Sequence, residues 1–201
     1  EPPGLFDDYG GNRSKTLKDH EMGIASHMYW GHDMKFPGKQ SLFPEHFLSG
    51  IANRQYERMN ERQKQQWDSA YTPKNNKLIA DIKSGKLKGR DVTRWKYQRY
   101  IKDYLRTIRA VDENVGRMLK YLDDTGLAKN TIVIYSSDQG FYLGEHGWYD
   151  KRWMFEESLA MPFLIRWPGT IPPGTESGTL IQNIDYGPTF LDIAKADTPP
   201  H

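Results

Sequence analysis

The amino-acid sequence predicts an α/β protein with a mostly parallel sheet. Apolar residues recur at helical spacing from about residue 91 to Gly126, which predicts one long helix. Two short, continuous apolar runs follow it, at residues 132–135 and 162–167. Such runs, bounded by turn-forming residues, are typical of strands that are covered on both faces. A helix followed by two buried strands and a further helix indicates α/β architecture.

The first 90 residues are polar and are interrupted by prolines and glycines. Spacing predicts a helix over residues 14–34, with Leu17, Ile24 and Met28 on one stripe. Two more helices are predicted over residues 54–69 and 76–83. Apolar residues are too sparse here for an independent core.

The remaining chain, residues 91–201, carries the predicted α/β elements. After the long helix and the two buried strands, Leu180 and Ile181 suggest a short strand. A final helix is predicted over residues 185–194, with Pro188 in its first turn, where proline is well tolerated.

Composition excludes several classes of protein. The 201 residues carry 28 Lys and Arg against 26 Asp and Glu, and they contain no cysteine. This stretch therefore encodes no disulfide, no thiolate zinc site and no cysteine nucleophile. The balanced charge does not predict a nucleic-acid partner. No apolar run approaches the ~20 residues of a membrane span.

A polar cluster ends the first predicted strand. Asp138 and Gln139 supply a carboxylate and an amide oxygen, which are suitable ligands for a hard cation such as calcium. Calcium takes six to eight oxygens, so other segments must complete such a site. By itself, the cluster could equally be an ordinary turn after a strand.

A longer motif surrounds this cluster, because residues 136–152 read SSDQGFYLGEHGWYDKR. Three further segments, residues 110–117, 130–134 and 185–192, read AVDENVGR, NTIVI and DYGPTFLD. Together they resemble, in order and spacing, the bacterial-type sulfatases of the alkaline-phosphatase superfamily. The resemblance implies a three-layer sandwich with a mostly parallel sheet, of which this chain holds only a part. It also implies that residues 1–90 are a polar helical insertion of the catalytic domain and that residues 91–201 are the later part of that α/β domain.

The resemblance also implies roles for individual residues. Asp138 and Gln139 would be calcium ligands, and Lys151 would bind a sulfate oxygen. His146 would either donate a proton to the leaving oxygen or tie down its loop. By residue type, Arg152, Trp148 and Tyr149 are candidates to contact the sugar, because a planar cation and aromatic faces suit rings that carry anionic groups.

One family feature is missing from this sequence. Sulfatases use a formylglycine nucleophile made within a C/S-x-P-x-R motif, and no proline here has Cys or Ser two residues before it. Asp7 and Asp8 resemble the paired aspartate ligands of the family, but they do not follow an apolar strand, so we interpret them as a loop. The chain is thus expected to be the second part of a catalytic domain, with formylglycine upstream and the amino-terminal half as its partner. In isolation it is expected to be inactive.

The functional hypothesis is a sulfuric ester hydrolase that acts on a sulfated carbohydrate and is exported to the bacterial periplasm or the extracellular space. Two alternatives remain open at this stage. One is a phosphate or phosphonate ester hydrolase of the same superfamily, and the other is a non-catalytic module that binds sulfated glycans.

Overall fold

The computed structural model describes residues 1–7, 14–36 and 47–197. The chain forms two compact units. The first comprises residues 1–114 and 141–159, and the second comprises residues 115–140 and 160–201. The predicted boundary after residue 90 concerns the organisation of a longer protein and stays a prediction. Asp8 lies outside the described residues, whereas Asp7 is exposed and follows a turn, as expected of a loop.

Helices account for most of the first unit. Within the described ranges the helices are α1 (Lys15–Lys18), α2 (Phe47–Glu57), α3 (Glu61–Lys83), α4 (Arg90–Asp124), α5 (Glu156–Leu159) and α6 (Tyr186–Ala194). The long helix α4 confirms the helix predicted from about residue 91 to Gly126. Gly126 follows it with a φ of +72°, a conformation that glycine adopts without strain. No helix in this part of the chain is long and apolar enough to cross a membrane.

The four described strands form two antiparallel pairs. They are β1 (Val133–Ser136), β2 (Tyr142–Leu143), β3 (Tyr149–Asp150) and β4 (Phe163–Arg166). Strand β1 pairs with β4, and β2 pairs with β3. The strands predicted at residues 132–135 and 162–167 are therefore present, and the described strands include no parallel pair.

The core of the first unit joins the amino-terminal segments to α3 and α4. One cluster of buried side chains consists of Leu5, Ile24, Met28, Met34, Phe36, Leu78 and Tyr97. A second cluster consists of Leu17, Met22, Tyr142 and Trp148. These clusters fix the hairpin of β2 and β3, which carries most of the predicted site, onto the amino-terminal segments.

In the second unit, one face of the β1–β4 ribbon packs on α6. The ring of Phe163 stacks on that of Tyr186 with centroids 5.6 Å apart, and the hydroxyls of Ser136 and Tyr186 are hydrogen-bonded at 2.8 Å. The opposite face is exposed at Tyr135 and Leu164, which are register partners. The sequence predicted cover on both faces, and within the described chain only one face is covered.

The helix predicted over residues 14–34 is wrong beyond Lys18. Leu17, Ile24 and Met28 are buried, as the stripe indicated. However, the backbone after α1 pairs with the hairpin: the amide of Ile24 donates to the carbonyl of Gly147, and the amide of Tyr149 donates to that of Met22. Tertiary pairing therefore replaces the local helical hydrogen bonds.

The predicted bounds of the next helices are also wrong. Asn60 caps α3 through a reciprocal capping box with Gln63, which separates α2 from α3 within the predicted helix over residues 54–69. The helix predicted at residues 76–83 is the end of α3, which continues through Pro73. Leu180 and Ile181 form no strand. The helix predicted over residues 185–194 is confirmed as α6.

Candidate functional site

The hairpin of β2 and β3 presents the predicted site residues of the first unit. Its connection, Glu145–Gly147, is a 3₁₀ turn flanked by Gly144. Four residues adopt positive φ within a short span: Gly144, His146, Gly147 and Asp150. For His146 and Asp150 this conformation is uncommon. Such a conformation persists only where contacts with the surrounding structure stabilise it.

The amino-terminal segment supplies part of those contacts. A Cβ on Gly4 would lie 2.9 Å from the backbone nitrogen of His146, and one on Gly147 would lie 2.9 Å from the carbonyl oxygen of Leu5. Gly144 faces the ring of Tyr97 in the same way. Glycine at these positions therefore permits a close backbone approach between residues 2–7, α4 and the hairpin.

Gly147→Ala is expected to destabilise the first unit by about 1–2 kcal/mol or more, because its φ of +71° is unfavourable for alanine and its Cβ meets the carbonyl of Leu5. Urea unfolding of the full-length protein measures this. Gly178→Ala is the matched control, since nothing lies within 4 Å of its Cβ. Equal stability of the two variants would show that the turn is not strained.

Lys151 directly follows β3 and is exposed. It makes no ion pair or hydrogen bond within the described residues. Arg152 differs, because its guanidinium lies 3.0 Å from the carboxylate of Asp150. Its backbone amide also contacts the sulfur of Met22 at 3.3 Å. The hairpin thus offers one unpaired ammonium beside a guanidinium that a neighbouring carboxylate orients.

His146 lies inside the turn rather than on its surface. Its Nε2 is 3.0 Å from Oε1 of Glu157, and both side chains are half-buried. Its ring also packs against those of Trp148 and Phe155. Of the two roles that the resemblance implied, these contacts favour tying down the loop, and the catalytic role stays a prediction.

Trp148 is 1% exposed, so its ring has no free face on which a sugar could stack. Its ring lies 5.4 Å from that of Tyr142, and its Nε1 donates to Nε2 of His20 at 2.9 Å. This burial does not support the predicted sugar contact. Buried aromatic residues of this size contribute mainly to the core.

Trp148→Phe in the full-length protein is expected to lower stability, because the smaller ring leaves a void and His20 loses its donor. The loss should be roughly 1–3 kcal/mol, with KM changed less than about twofold. Thermal unfolding and steady-state kinetics measure the two effects. A large rise in KM at unchanged melting temperature would instead restore the sugar-contact role.

The predicted calcium ligands lie in the second unit, directly after β1. The hydroxyl of Ser137 donates to the backbone carbonyl of Gln139 at 2.8 Å and lies 3.3 Å from the carboxylate of Asp138. The backbone carbonyl of Asp138 accepts from the side-chain amide of Asn183 at 3.0 Å. The loop is therefore held through its backbone, while the Asp138 carboxylate is exposed.

These donors fit a hard divalent cation in type but not in number. Asp138 and Gln139 provide one carboxylate and one amide oxygen, of the six to eight that calcium takes. The described residues contain no group of three or more His, Asp or Glu side chains able to hold a metal. The expectation that other segments complete the site stays a prediction.

Sequence reasoning missed the residues that orient the site. Glu157 pairs with His146 and Asp150 pairs with Arg152, and neither pairing could be deduced from residue type or spacing. The structure brings His146, Trp148, Lys151 and Arg152 together on one hairpin, whereas Asp138 and Gln139 belong to the other unit.

The chain matches known proteins along nearly its whole length. Residues 144–201 match the family model for the carboxyl-terminal part of N-sulphoglucosamine sulphohydrolase. An N-acetylglucosamine-6-O-sulfatase of Bacteroides thetaiotaomicron is 45% identical over 99% of this chain. The human N-acetylglucosamine-6-sulfatase is 42% identical over 45% of this chain, which corresponds to 16% of its own length.

One solved structure is similar in both sequence and fold. It shows a protein in complex with its substrate, D-glucosamine-2-N,6-O-disulfate, and it superposes with a TM-score of 0.85 at 43% identity over 99% of this chain. The chain corresponds to 39% of that protein and to 34% of the Bacteroides relative. It therefore spans between a third and two fifths of the proteins that it matches most fully.

Proposed function

The chain belongs to the sulfatase family, with its alkaline-phosphatase-like fold, and from this premise we propose that it forms part of an enzyme that releases sulfate from a sulfated carbohydrate. The observation that carries the proposal is the exposed Lys151 after β3, which has no partner among the described residues, in a chain 45% identical to a sugar sulfatase. The family resemblance gives this lysine a sulfate oxygen as its partner.

Each residue would act through its own chemistry. The ammonium of Lys151 would bind a sulfate oxygen and stabilise the negative charge that develops during transfer. Arg152, held by Asp150, would donate to the sugar or to a second anionic group. His146, held by Glu157, would tie down the loop that carries the site, and donation of a proton to the leaving sugar oxygen is the second role proposed for it.

Asp138 and Gln139 would hold a calcium ion together with ligands from outside this chain. When bound, such an ion offsets the negative charge of the sulfate. We assign the formylglycine nucleophile of the family to a segment that precedes these residues in the full-length protein. We also propose an exported location, on the family resemblance alone.

The substrate we propose is a glucosamine-based sugar with a sulfate on the 6-oxygen. Both named relatives are N-acetylglucosamine-6-sulfatases, and the similar solved structure holds a disulfated glucosamine. The family model carries the name of an N-sulfate hydrolase, so N-sulfoglucosamine is the competing substrate.

A substrate panel on the full-length protein tests this proposal. Sulfate release from N-acetylglucosamine 6-sulfate should exceed release from N-sulfoglucosamine and from choline sulfate. The panel includes N-acetylglucosamine 6-phosphate, from which a phosphatase would release phosphate. Release of phosphate without release of sulfate would refute the proposal, and binding of the sulfated sugar without turnover would favour the non-catalytic alternative.

A further inference from the structure

A buried lysine on α4 lies behind the hairpin and outside the proposed site. Lys96 is 5% exposed, and its ammonium donates to the backbone carbonyls of Ala25 at 3.0 Å and Met28 at 3.2 Å. The same ammonium sits 4.7 Å from the ring centroid of Trp30. Buried ammonium groups are costly unless they are hydrogen-bonded, so these contacts account for its place in the core.

The two carbonyls belong to a segment that is hydrogen-bonded to the hairpin. We call residues 22–28 the supporting segment. Its Ile24 amide donates to Gly147 at 2.9 Å, and its Met22 carbonyl accepts from the amide of Tyr149 at 2.9 Å. The hydroxyl of Tyr149 donates to the carbonyl of His27 at 3.0 Å. The supporting segment thus runs as a third, antiparallel partner of the hairpin.

We propose that Lys96 is a positioning residue for Lys151, acting through the supporting segment and the hairpin. Lys151 follows Tyr149 by two residues, so the three hydrogen bonds between the supporting segment and the hairpin set where its backbone lies. Lys96 holds the same segment through the carbonyls of Ala25 and Met28. The inference rests on the proposed role of Lys151 in binding sulfate.

The titration of Lys96 provides a second, independent test, because it makes the stability of the fold depend on pH. Burial lowers the pKa of Lys96 to about 8, opposed in part by the carboxylate of Asp33. Burial lowers the pKa of His27, the carboxylate of Glu21 opposes this, and Lys96 adds a smaller lowering. Asp33, whose pKa is raised mainly by burial, also faces His32 and Lys35. These groups all belong to the loop that packs on Lys96.

The sign of the pH effect follows from linkage. Between pH 8 and the ordinary lysine value of 10.5, the folded protein binds fewer protons at Lys96 than the unfolded chain. This group therefore makes the folded state more stable as pH rises through that range. The unfolding free energy of the wild type minus that of Lys96→Met should increase from pH 8 to pH 10. A flat difference would contradict the buried cation.

The main test is a double-mutant cycle in the full-length protein. Lys96→Met should lower kcat by about tenfold or more and change KM by less than about twofold, because misplaced groups cost rate more than binding. In a Lys151→Ala background, Lys96→Met should have no further effect. Additive losses would overturn the inference. Lys102→Met, an exposed lysine on the same helix, is the matched control.

Hydrogen exchange tests the inference without any assay of activity. The amides of Ile24 and Tyr149 should exchange at least tenfold faster in Lys96→Met than in the wild type or in Lys102→Met. Unchanged exchange overturns the inference even if the protein proves not to be a sulfatase. If the wild-type protein itself showed no sulfatase activity, the proposed function would be refuted instead. If Lys96→Met does not fold, Lys96→Gln retains amide donors for the same carbonyls.

Discussion

Replacing Lys151 with alanine in the full-length protein is expected to lower kcat for sulfate release by about a hundredfold or more. The ammonium would face charge that grows during transfer of the sulfuryl group, and its removal therefore acts on the transition state more than on the bound substrate. Folding should be unaffected, because Lys151 is exposed and makes no hydrogen bond or ion pair with the rest of the described chain.

Steady-state kinetics and thermal unfolding separate these two effects. Lys129→Ala removes another exposed lysine and serves as the control for the change in net charge. Its kcat should stay at the wild-type value. Unchanged turnover of Lys151→Ala would remove the sulfate contact from the proposed function, whereas a lowered melting temperature would mean that the lysine acts through the fold.

The second large effect is expected at Asp138. Asp138→Ala should abolish calcium binding and sulfate release together, because a carboxylate supplies much of the negative charge that holds a hard cation. The loop should keep its conformation, since its contacts with Asn183 and within Ser137–Gln139 run largely through backbone carbonyls. Calorimetric titration of the full-length protein with calcium measures binding directly.

Asp192→Ala is the matched control for this experiment, because Asp192 is exposed in the same unit and pairs only locally, with Lys195 at 3.4 Å. It should bind calcium as the wild type does. Undiminished calcium affinity in Asp138→Ala would show that the metal site lies elsewhere and would leave Asp138 as a residue of an ordinary turn after β1.

Several helices and strands could be predicted from the sequence. The strands β1 and β4 are continuous apolar runs between turn residues, and α4 and α6 carry strong helical spacing and clear ends. These patterns involve residues close together in the chain, so they are visible in the sequence itself. The motif around Asp138 and Lys151 was likewise sufficient to indicate the family.

The segment after α1 shows where local signals fail. Leu17, Ile24 and Met28 have helical spacing, yet only Leu17 lies in a helix. Ile24 is buried because its segment pairs with a hairpin more than 120 residues later in the chain. Pairing over such a distance leaves no periodic trace in the sequence, so a stripe of buried residues could not reveal it.

The predicted sugar contacts illustrate the same limit for the site. Trp148 and Arg152 are both plausible partners of a sulfated sugar by residue type alone. The structure separates them, because Trp148 is buried beside Tyr142 whereas Arg152 is exposed and ion-paired. Exposure depends on tertiary packing, and the spacing of residues along the hairpin does not encode it.

The half-covered β1–β4 ribbon bears on how the protein must be handled in the laboratory. Each of its strands has a single hydrogen-bonded neighbour among the described residues, and Leu164 is 65% exposed beside Tyr135. Two-stranded ribbons are marginally stable in water, and unpaired edges with apolar faces promote intermolecular β-pairing. Expressing these 201 residues alone should therefore favour aggregation, and refolding yields should depend steeply on protein concentration.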